Sequence, residues 1–234
     1  MTFLDECIDF TGVYWERYQR HPWIKALFAG ELREDQFEYW LTQDLPYIGE
    51  RTASLAFHKV PPHNPWARLQ REYDMRSGES RVELQMLKKY GDFALSRWAA
   101  RPRREAFVNF FIRTFYEGTF GDICCAVYPC YSFYNTFGVR YLAKKPTDLS
   151  PLQVAWTEQW TEPFYKELQE ATAAGINEYG AHSTEYEREK MRWIFMRGTQ
   201  HQISIFDTAW DCSDPWGGEL EESGVLAGPP PTHS

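Results

Sequence analysis

The sequence predicts an all-α protein, a bundle of helices that forms one domain. Apolar residues recur at helical spacing through most of the 234 residues, and no segment shows the alternation typical of a β-strand. Neither a repeat nor a linker interrupts residues 1–212, which we expect to form a single helical domain. Residues 213–234, rich in Gly, Pro and acidic residues, are expected to form a loosely ordered tail.

Gly and Pro residues divide the N-terminal half into elements. The predicted helices cover, in order, residues 2–20, 22–30, 33–59, 65–76 and 82–91. His21-Pro22 ends the first helix and begins the second. Pro46 lies inside the third, so a kink is expected there. Asn64 and Pro65 have the residue types that cap and begin the fourth.

The C-terminal half is predicted to contain four longer helices. They cover residues 103–120, 122–142, 150–172 and 183–210. Gly118 and Gly121 separate the first two, and Pro129 is expected to interrupt the second. Ser150 and Pro151 form a cap and first-turn pair for the third.

Composition excludes several classes of function. A net charge of −8 argues against non-specific binding to nucleic acid. With neither a signal-like N-terminus nor an apolar run near twenty residues, we expect a cytoplasmic protein that does not enter the membrane. Five cysteines without a C-x-x-C pair indicate reduced thiols and no zinc site. The six histidines form no Glu-x-x-His pair, so we expect no metal and no cofactor.

Cys130 lies in an apolar and aromatic stretch, four residues before Tyr134. On a helix this spacing places the thiol and the phenol on one face. Such surroundings suit the lining of a closed pocket. A cysteine there is either inert packing or a nucleophile.

Asp44 and Tyr47 form a second candidate group within Gln43-Asp44-Leu45-Pro46-Tyr47. Three residues apart on a helix, they share a face. A carboxylate in an apolar segment must find a donor, which favours a role in a pocket. The structural alternative is a helix cap or an ion pair to a nearby arginine.

Four motifs, taken together, resemble the TenA family, also called thiaminase II, of the haem-oxygenase-like helical fold. They are His21-Pro22-Trp23, Phe37-Glu38-Tyr39-Trp40, Gln43-Asp44-Leu45-Pro46-Tyr47 and Pro129-Cys130-Tyr131 with Tyr134. The resemblance covers roughly residues 3–212. It implies an enzyme of thiamin metabolism that cleaves thiamin or hydrolyses a degraded aminopyrimidine for salvage. Members are typically homotetramers, so we expect a homo-oligomer, a dimer or a tetramer.

The resemblance also implies roles for these residues. Asp44 would bind the amino group and ring nitrogen of the aminopyrimidine, and the Cys130 thiolate would displace the leaving group. Tyr47 and Tyr134 would orient the substrate, the thiol and a water molecule.

Three positions depart from the family pattern. Gln202 stands where the family has an acid–base glutamate, and an amide cannot transfer a proton at neutral pH. Phe107 and Trp160 stand where the family has pocket tyrosines. We therefore expect a pocket that is less polar, richer in large rings and poorer in proton donors.

Three functions remain open on the sequence alone. The first is a TenA-like hydrolase or transferase that acts on a small pyrimidine-like substrate through Cys130. The second is a binding protein whose pocket holds a small aromatic ligand without converting it, because Gln202 replaces the glutamate. The third is a relative of the same fold with metal-dependent oxidase chemistry.

Overall fold

The computed structural model describes residues 1–44, 52–76 and 100–217. Its α-helices are α1 Phe3–Thr11, α2 Val13–Gln19, α3 Pro22–Ala29, α4 Glu34–Asp44, α5 Trp66–Arg76, α6 Pro102–Glu117, α7 Phe120–Ala143, α8 Pro151–Gln159, α9 Pro163–His182 and α10 Glu185–Asp211, with a 3₁₀ helix over Ala53–Lys59. Within these residues there is no β-strand, which confirms the predicted all-α class. None of these helices is long and apolar enough to cross a bilayer.

The helix predicted over residues 2–20 is divided in two. Gly12 has a φ of 52°, a left-handed conformation that ends α1 and turns the chain into α2. The helix predicted over residues 33–59 is also wrong as a single α-helix, because Ala53–Lys59 is a 3₁₀ helix. The expected kink at Pro46 and the helix predicted over 82–91 lie outside the described residues.

The prediction that Pro129 interrupts the Cys130 helix is wrong. α7 runs without a break over 24 residues, with Pro129 inside it. A capping box between Thr119 and Asp122 begins the helix, and nearly all of its first half is buried. Dense burial on every side of a helix can offset the one backbone hydrogen bond that a proline removes.

One predicted helix over 150–172 is in fact two. α8 ends at Gln159, and Pro163 occupies the first turn of α9, which continues to His182, past the predicted end. The predicted helices over 103–120 and 183–210 agree with α6 and α10 to within a few residues. Packing also continues beyond residue 212, since the backbone N–H of Arg103 donates to Asp214 at 2.7 Å.

α7 is the central helix of the bundle. It packs along α9 on one side and α10 on the other, and most of its residues are buried. Around its middle lies an aromatic cluster in which Trp156, Phe133 and Phe206 contact rings from several helices. The candidate site residues lie at the edge of this cluster.

Candidate active site

The register between α7 and α10 is set by two contacts. A Cβ at Gly198 would lie 2.7 Å from the Ala126 carbonyl oxygen, so only glycine lets the two backbones approach this closely. Further along both helices, the rings of Phe133 and Phe206 lie 5.2 Å apart. Residue numbers therefore rise together, and the two helices run parallel.

This register brings Cys130 and Gln202 to the same level of the bundle. Cys130 lies between the two contacts on α7, and Gln202 lies between them on α10. Both side chains are buried, with 5% and 4% of their surface exposed. The thiol and the amide that the sequence singles out are therefore at one depth of the bundle, on neighbouring helices.

Asp44 reaches the same level from the opposite direction. The Gln36 side-chain amide donates to the Trp210 carbonyl oxygen at 2.7 Å, and the rings of Trp40 and Phe206 are stacked at 6.0 Å. Because residue numbers fall on α10 as they rise on α4, the two helices run antiparallel. One further turn of α4 brings Asp44 to the level of the cysteine and the glutamine.

Asp44 is held by Arg104 in a buried ion pair. An oxygen of the carboxylate lies 2.8 Å from a terminal nitrogen of the guanidinium, and the side chains are only 2% and 3% exposed. The arginine alternative considered for Asp44 is thus present, and it does not remove the carboxylate from the site. Arg104 was missed in the sequence, where it is one of several basic residues at the start of α6.

Phe107 lies one turn beyond Arg104 and is almost fully buried. Its ring is stacked on the imidazole of His201, with centroids 5.5 Å apart, and contacts Phe111 at 4.4 Å. Since His201 precedes Gln202 on α10, Phe107 packs directly beside the candidate site.

Tyr134, one turn beyond Cys130 on α7, forms a stacked pair with Trp160. Their ring centroids are 3.9 Å apart, with an interplanar angle of 15°. Gly138 allows this arrangement, because a Cβ there would lie 2.0 Å from the Trp160 carbonyl oxygen. The Trp160 indole N–H is buried and has no acceptor within the described parts of the chain. This position therefore keeps a hydrogen-bond donor, although the tyrosine hydroxyl of the family pattern is missing.

Tyr18 is a second residue that the sequence did not reveal. Its ring is stacked on Phe133 at 4.2 Å, and its hydroxyl donates to the Pro129 carbonyl oxygen at 3.3 Å. Burial raises the pKa of Tyr18 well above its usual value, and the nearby Cys130 raises it further. The phenol therefore stays protonated beside the thiol. In the sequence, Tyr18 shows only the helical spacing that ordinary core residues also show, so nothing there distinguishes it as a site residue.

His21 supports a helix junction. Its Nδ1 accepts the backbone N–H of Trp23 at 3.2 Å, which caps α3, and its Nε2 lies 3.1 Å from an Asp207 oxygen. The Nδ1 contact requires a neutral ring, in agreement with burial as the main cause that lowers the pKa of His21. The imidazole is thus occupied by structural contacts on both nitrogens.

The described residues bring Asp44, Cys130 and Gln202 to one level, with Phe107 packed on the adjacent His201 and with Tyr134, stacked on Trp160, one turn beyond Cys130 on α7. Tyr47 lies outside the described residues. Among those described, no group of three His, Cys, Asp or Glu side chains is arranged to hold a metal ion.

The fold and these residues define a helical-bundle protein with a candidate site between its helices. Residues 12–212 match the model of the TENA/THI-4/PQQC family, and the chain belongs to this family. The haem-oxygenase-like fold predicted for the chain is confirmed by this match together with the structural neighbours.

Two curated relatives match nine tenths or more of the chain. It is 23% identical to the aminopyrimidine aminohydrolase of Bacillus subtilis strain 168, in an alignment that covers 96% of this chain and 98% of the relative. It is 20% identical to the protein of the same name from Halalkalibacterium halodurans, over 90% of this chain and 96% of the relative.

Solved structures show the same fold. The TenA homologue from P. horikoshii OT3 matches with a TM-score of 0.73 and 19% identity, over 90% of this chain and 99% of that one. A TenA homologue from Pyrococcus furiosus matches with the same TM-score and identity, over 88% and 99%.

Proposed function

We propose that this protein hydrolyses an aminopyrimidine derived from thiamin, with Cys130 as the nucleophile. The observation that carries the proposal is the convergence of Cys130, Asp44 and Gln202 at one level of the bundle, reached from three helices. The names of the two curated relatives supply the substrate class.

The Asp44–Arg104 pair suits recognition of an aminopyrimidine edge. That edge presents an amino group, which donates, next to a ring nitrogen, which accepts. A carboxylate only accepts and a guanidinium only donates, so Asp44 would bind the amino group and Arg104 would donate to the ring nitrogen. The ion pair, at 2.8 Å, keeps the two groups side by side for this purpose.

The reaction proceeds by two displacements. The leaving amine takes the proton of the Cys130 thiol, the thiolate forms a C–S bond to the carbon that carries the amine, the C–N bond breaks, and the neutral amine departs. Water then forms a C–O bond to the same carbon, the C–S bond breaks, and the water loses a proton. The hydroxymethyl pyrimidine is released, and the thiol is restored.

Each displacement requires a proton transfer that Gln202 cannot perform. Its amide can hold the attacking water, because it donates through nitrogen and accepts through oxygen. Proton transfer is left to solvent or to the substrate amine, so we expect slow turnover. Tyr18, whose hydroxyl proton is donated to the Pro129 carbonyl oxygen, stays neutral and so adds no second negative charge beside the thiolate.

The remaining aromatic residues shape the pocket in this proposal. Tyr134 and Trp160 form one wall against which the pyrimidine ring packs, and Tyr47 orients the substrate. Phe107 closes the opposite side. The Trp160 indole N–H, which has no acceptor among the described residues, supplies a donor to the substrate or to a bound water.

Replacement of the nucleophile tests the mechanism. Cys130→Ser is expected to abolish release of the hydroxymethyl pyrimidine from an aminomethyl pyrimidine, measured by liquid chromatography. Cys124→Ser is the matched control, since Cys124 is buried in the same helix away from the site, and it is expected to keep its activity. Unchanged turnover in Cys130→Ser would exclude the cysteine mechanism.

Gln202 also favours a second candidate function, the binding of a small aromatic ligand without turnover. Gln202→Glu separates the two functions. A rise in turnover of about 10² or more, the range expected of general acid–base catalysis, supports the hydrolase. If the folded variant binds the pyrimidine with unchanged, negligible turnover, the binding function is the better description.

We also propose that the protein is cytoplasmic and forms a homo-oligomer, a dimer or a tetramer. Val139 and Leu142, near the end of α7, are 60% and 64% exposed and suit a contact between copies. Light scattering coupled to gel filtration tests this proposal, and a monomer at all concentrations would contradict it.

A further inference from the structure

A groove opens between α6 and α10, next to the His201 ring on which Phe107 is stacked. It has a volume of about 460 Å³ and is lined by Ala106, Asn109, Phe110, Arg113, Arg197 and His201. An adjoining groove of about 310 Å³ shares Phe110 and both arginines and extends to Trp193. Neither groove includes Cys130, Asp44 or Gln202.

Two guanidinium groups face this groove from opposite helices. Within the described residues, neither Arg113 nor Arg197 forms an ion pair with a carboxylate, although the chain has 33 acidic residues and a net charge of −8. Arg197 donates to the Gln200 side chain at 2.8 Å and lies 5.7 Å from the Trp193 ring. Glu117, one turn from Arg113, lines the adjoining groove without pairing with it.

His201 lines the same groove as the two arginines and carries no charge of its own at neutral pH. Its ring is held between Phe107 and Phe110, with centroids 5.5 and 4.9 Å away. Burial, followed by the positive charges of Arg197 and Arg113, lowers its pKa to about 4. Both guanidinium groups are thus close enough to act on one imidazole, which is itself a neutral donor and acceptor.

We propose that this groove binds a phosphate monoester at Arg113, Arg197 and His201. Two guanidinium groups match the two charges of a phosphate monoester and can each bind it through paired hydrogen bonds. The His201 ring adds a neutral donor, and Phe110 and Trp193 provide aromatic surface for the organic part of the ligand. The volume of the groove limits that organic part to a small molecule.

The proposal goes beyond the hydrolase function, because the groove is separate from the thiol and needs no turnover. It also connects the two regions physically. Phe107 contacts both His201, which lines the groove, and Arg104, which pairs with Asp44, and Gln202 follows His201 along α10.

Calorimetric titration with three probes tests the site. Phenyl phosphate carries both parts of the proposed ligand, inorganic phosphate only the charged group, and benzoate a ring with a single charge. We expect saturable binding, tightest for phenyl phosphate. Equal affinity for inorganic phosphate, or tighter binding of benzoate, would overturn the assignment to a phosphate monoester.

Variants locate the binding. Arg113→Gln and Arg197→Gln are each expected to weaken phenyl phosphate binding by about tenfold, the effect of losing one charged hydrogen-bonding partner. Arg20→Gln, an exposed arginine on another face, is the matched control and should have no effect. An equal loss in the control would show general attraction of anions and overturn the proposal.

A contact between copies is the competing use of this surface. Sedimentation velocity of Arg113→Glu distinguishes it, since a small-molecule site predicts an unchanged oligomeric state. A change in oligomeric state, or no saturable binding of phenyl phosphate in the millimolar range, would overturn the proposal.

Discussion

Removal of Arg104 is expected to destabilise the protein strongly, because it leaves the Asp44 carboxylate buried without its partner. At 2.8 Å and an effective dielectric constant of about 20, the attraction between the two charges is about 6 kcal/mol. That attraction offsets the cost of burying two side chains that are only 3% and 2% exposed. Arg104→Met is therefore expected to lower the free energy of unfolding by about 3–5 kcal/mol.

Urea denaturation followed by circular dichroism measures this loss. Arg33→Met is the control, since the Arg33–Asp35 pair is 59% and 50% exposed and its loss should cost less than about 1 kcal/mol. The double variant Asp44→Leu with Arg104→Met should recover most of the stability, because no charge stays buried. A loss in Arg104→Met as small as that of the control would refute the buried pair.

Three further outcomes follow from contacts around the site. Gly198→Ala should cost about 1–3 kcal/mol by urea denaturation, since its Cβ would meet the Ala126 carbonyl oxygen at 2.7 Å; unchanged stability would contradict the close packing. Tyr18→Phe should cost about 1 kcal/mol through loss of the bond to the Pro129 carbonyl, and no loss would argue against that bond. His201, with its pKa lowered from 6.5 to about 4, should titrate near pH 4 by NMR. Between pH 6.5 and about 4, His201 binds a proton in the unfolded chain but not in the folded protein. The stability that the neutral, buried imidazole contributes is therefore lost as pH falls from 6.5 to about 4. Titration of His201 near pH 6.5 would contradict its burial.

Most helix positions were predictable from the sequence, and the errors have physical causes. Periodicity and capping residues located α6 and α10 closely. The helix expected to break at Pro129 does not, because local propensity is weaker than the packing of a fully enclosed helix. Conversely, the apolar pattern over 150–172 continues across a true break at Pro163, since the two successive helices α8 and α9 both face the core.

The candidate site was predictable only where a residue type is unusual in its surroundings. A carboxylate and a thiol in apolar segments are conspicuous, so Asp44 and Cys130 were singled out. Arg104 and Tyr18 were not, because their types are common at a helix start and in a core, and their partners lie far away in the sequence. Those contacts depend on helix register, which a single sequence does not specify.

The contact at Gly198 aligns the two helices of the site through residues other than those proposed to react. α7 and α10 are aligned there through a backbone carbonyl, and not through the side chains that face the substrate. Residue 202 can therefore be a glutamine or a glutamate without shifting the helix that carries it. In such a bundle, a single substitution at residue 202 can change the reaction or abolish it while the arrangement of the helices is kept. Gln202→Glu should accordingly alter the rate while the register of the two helices is kept, and it should lower the melting temperature, because residue 202 is only 4% exposed and a carboxylate there is buried.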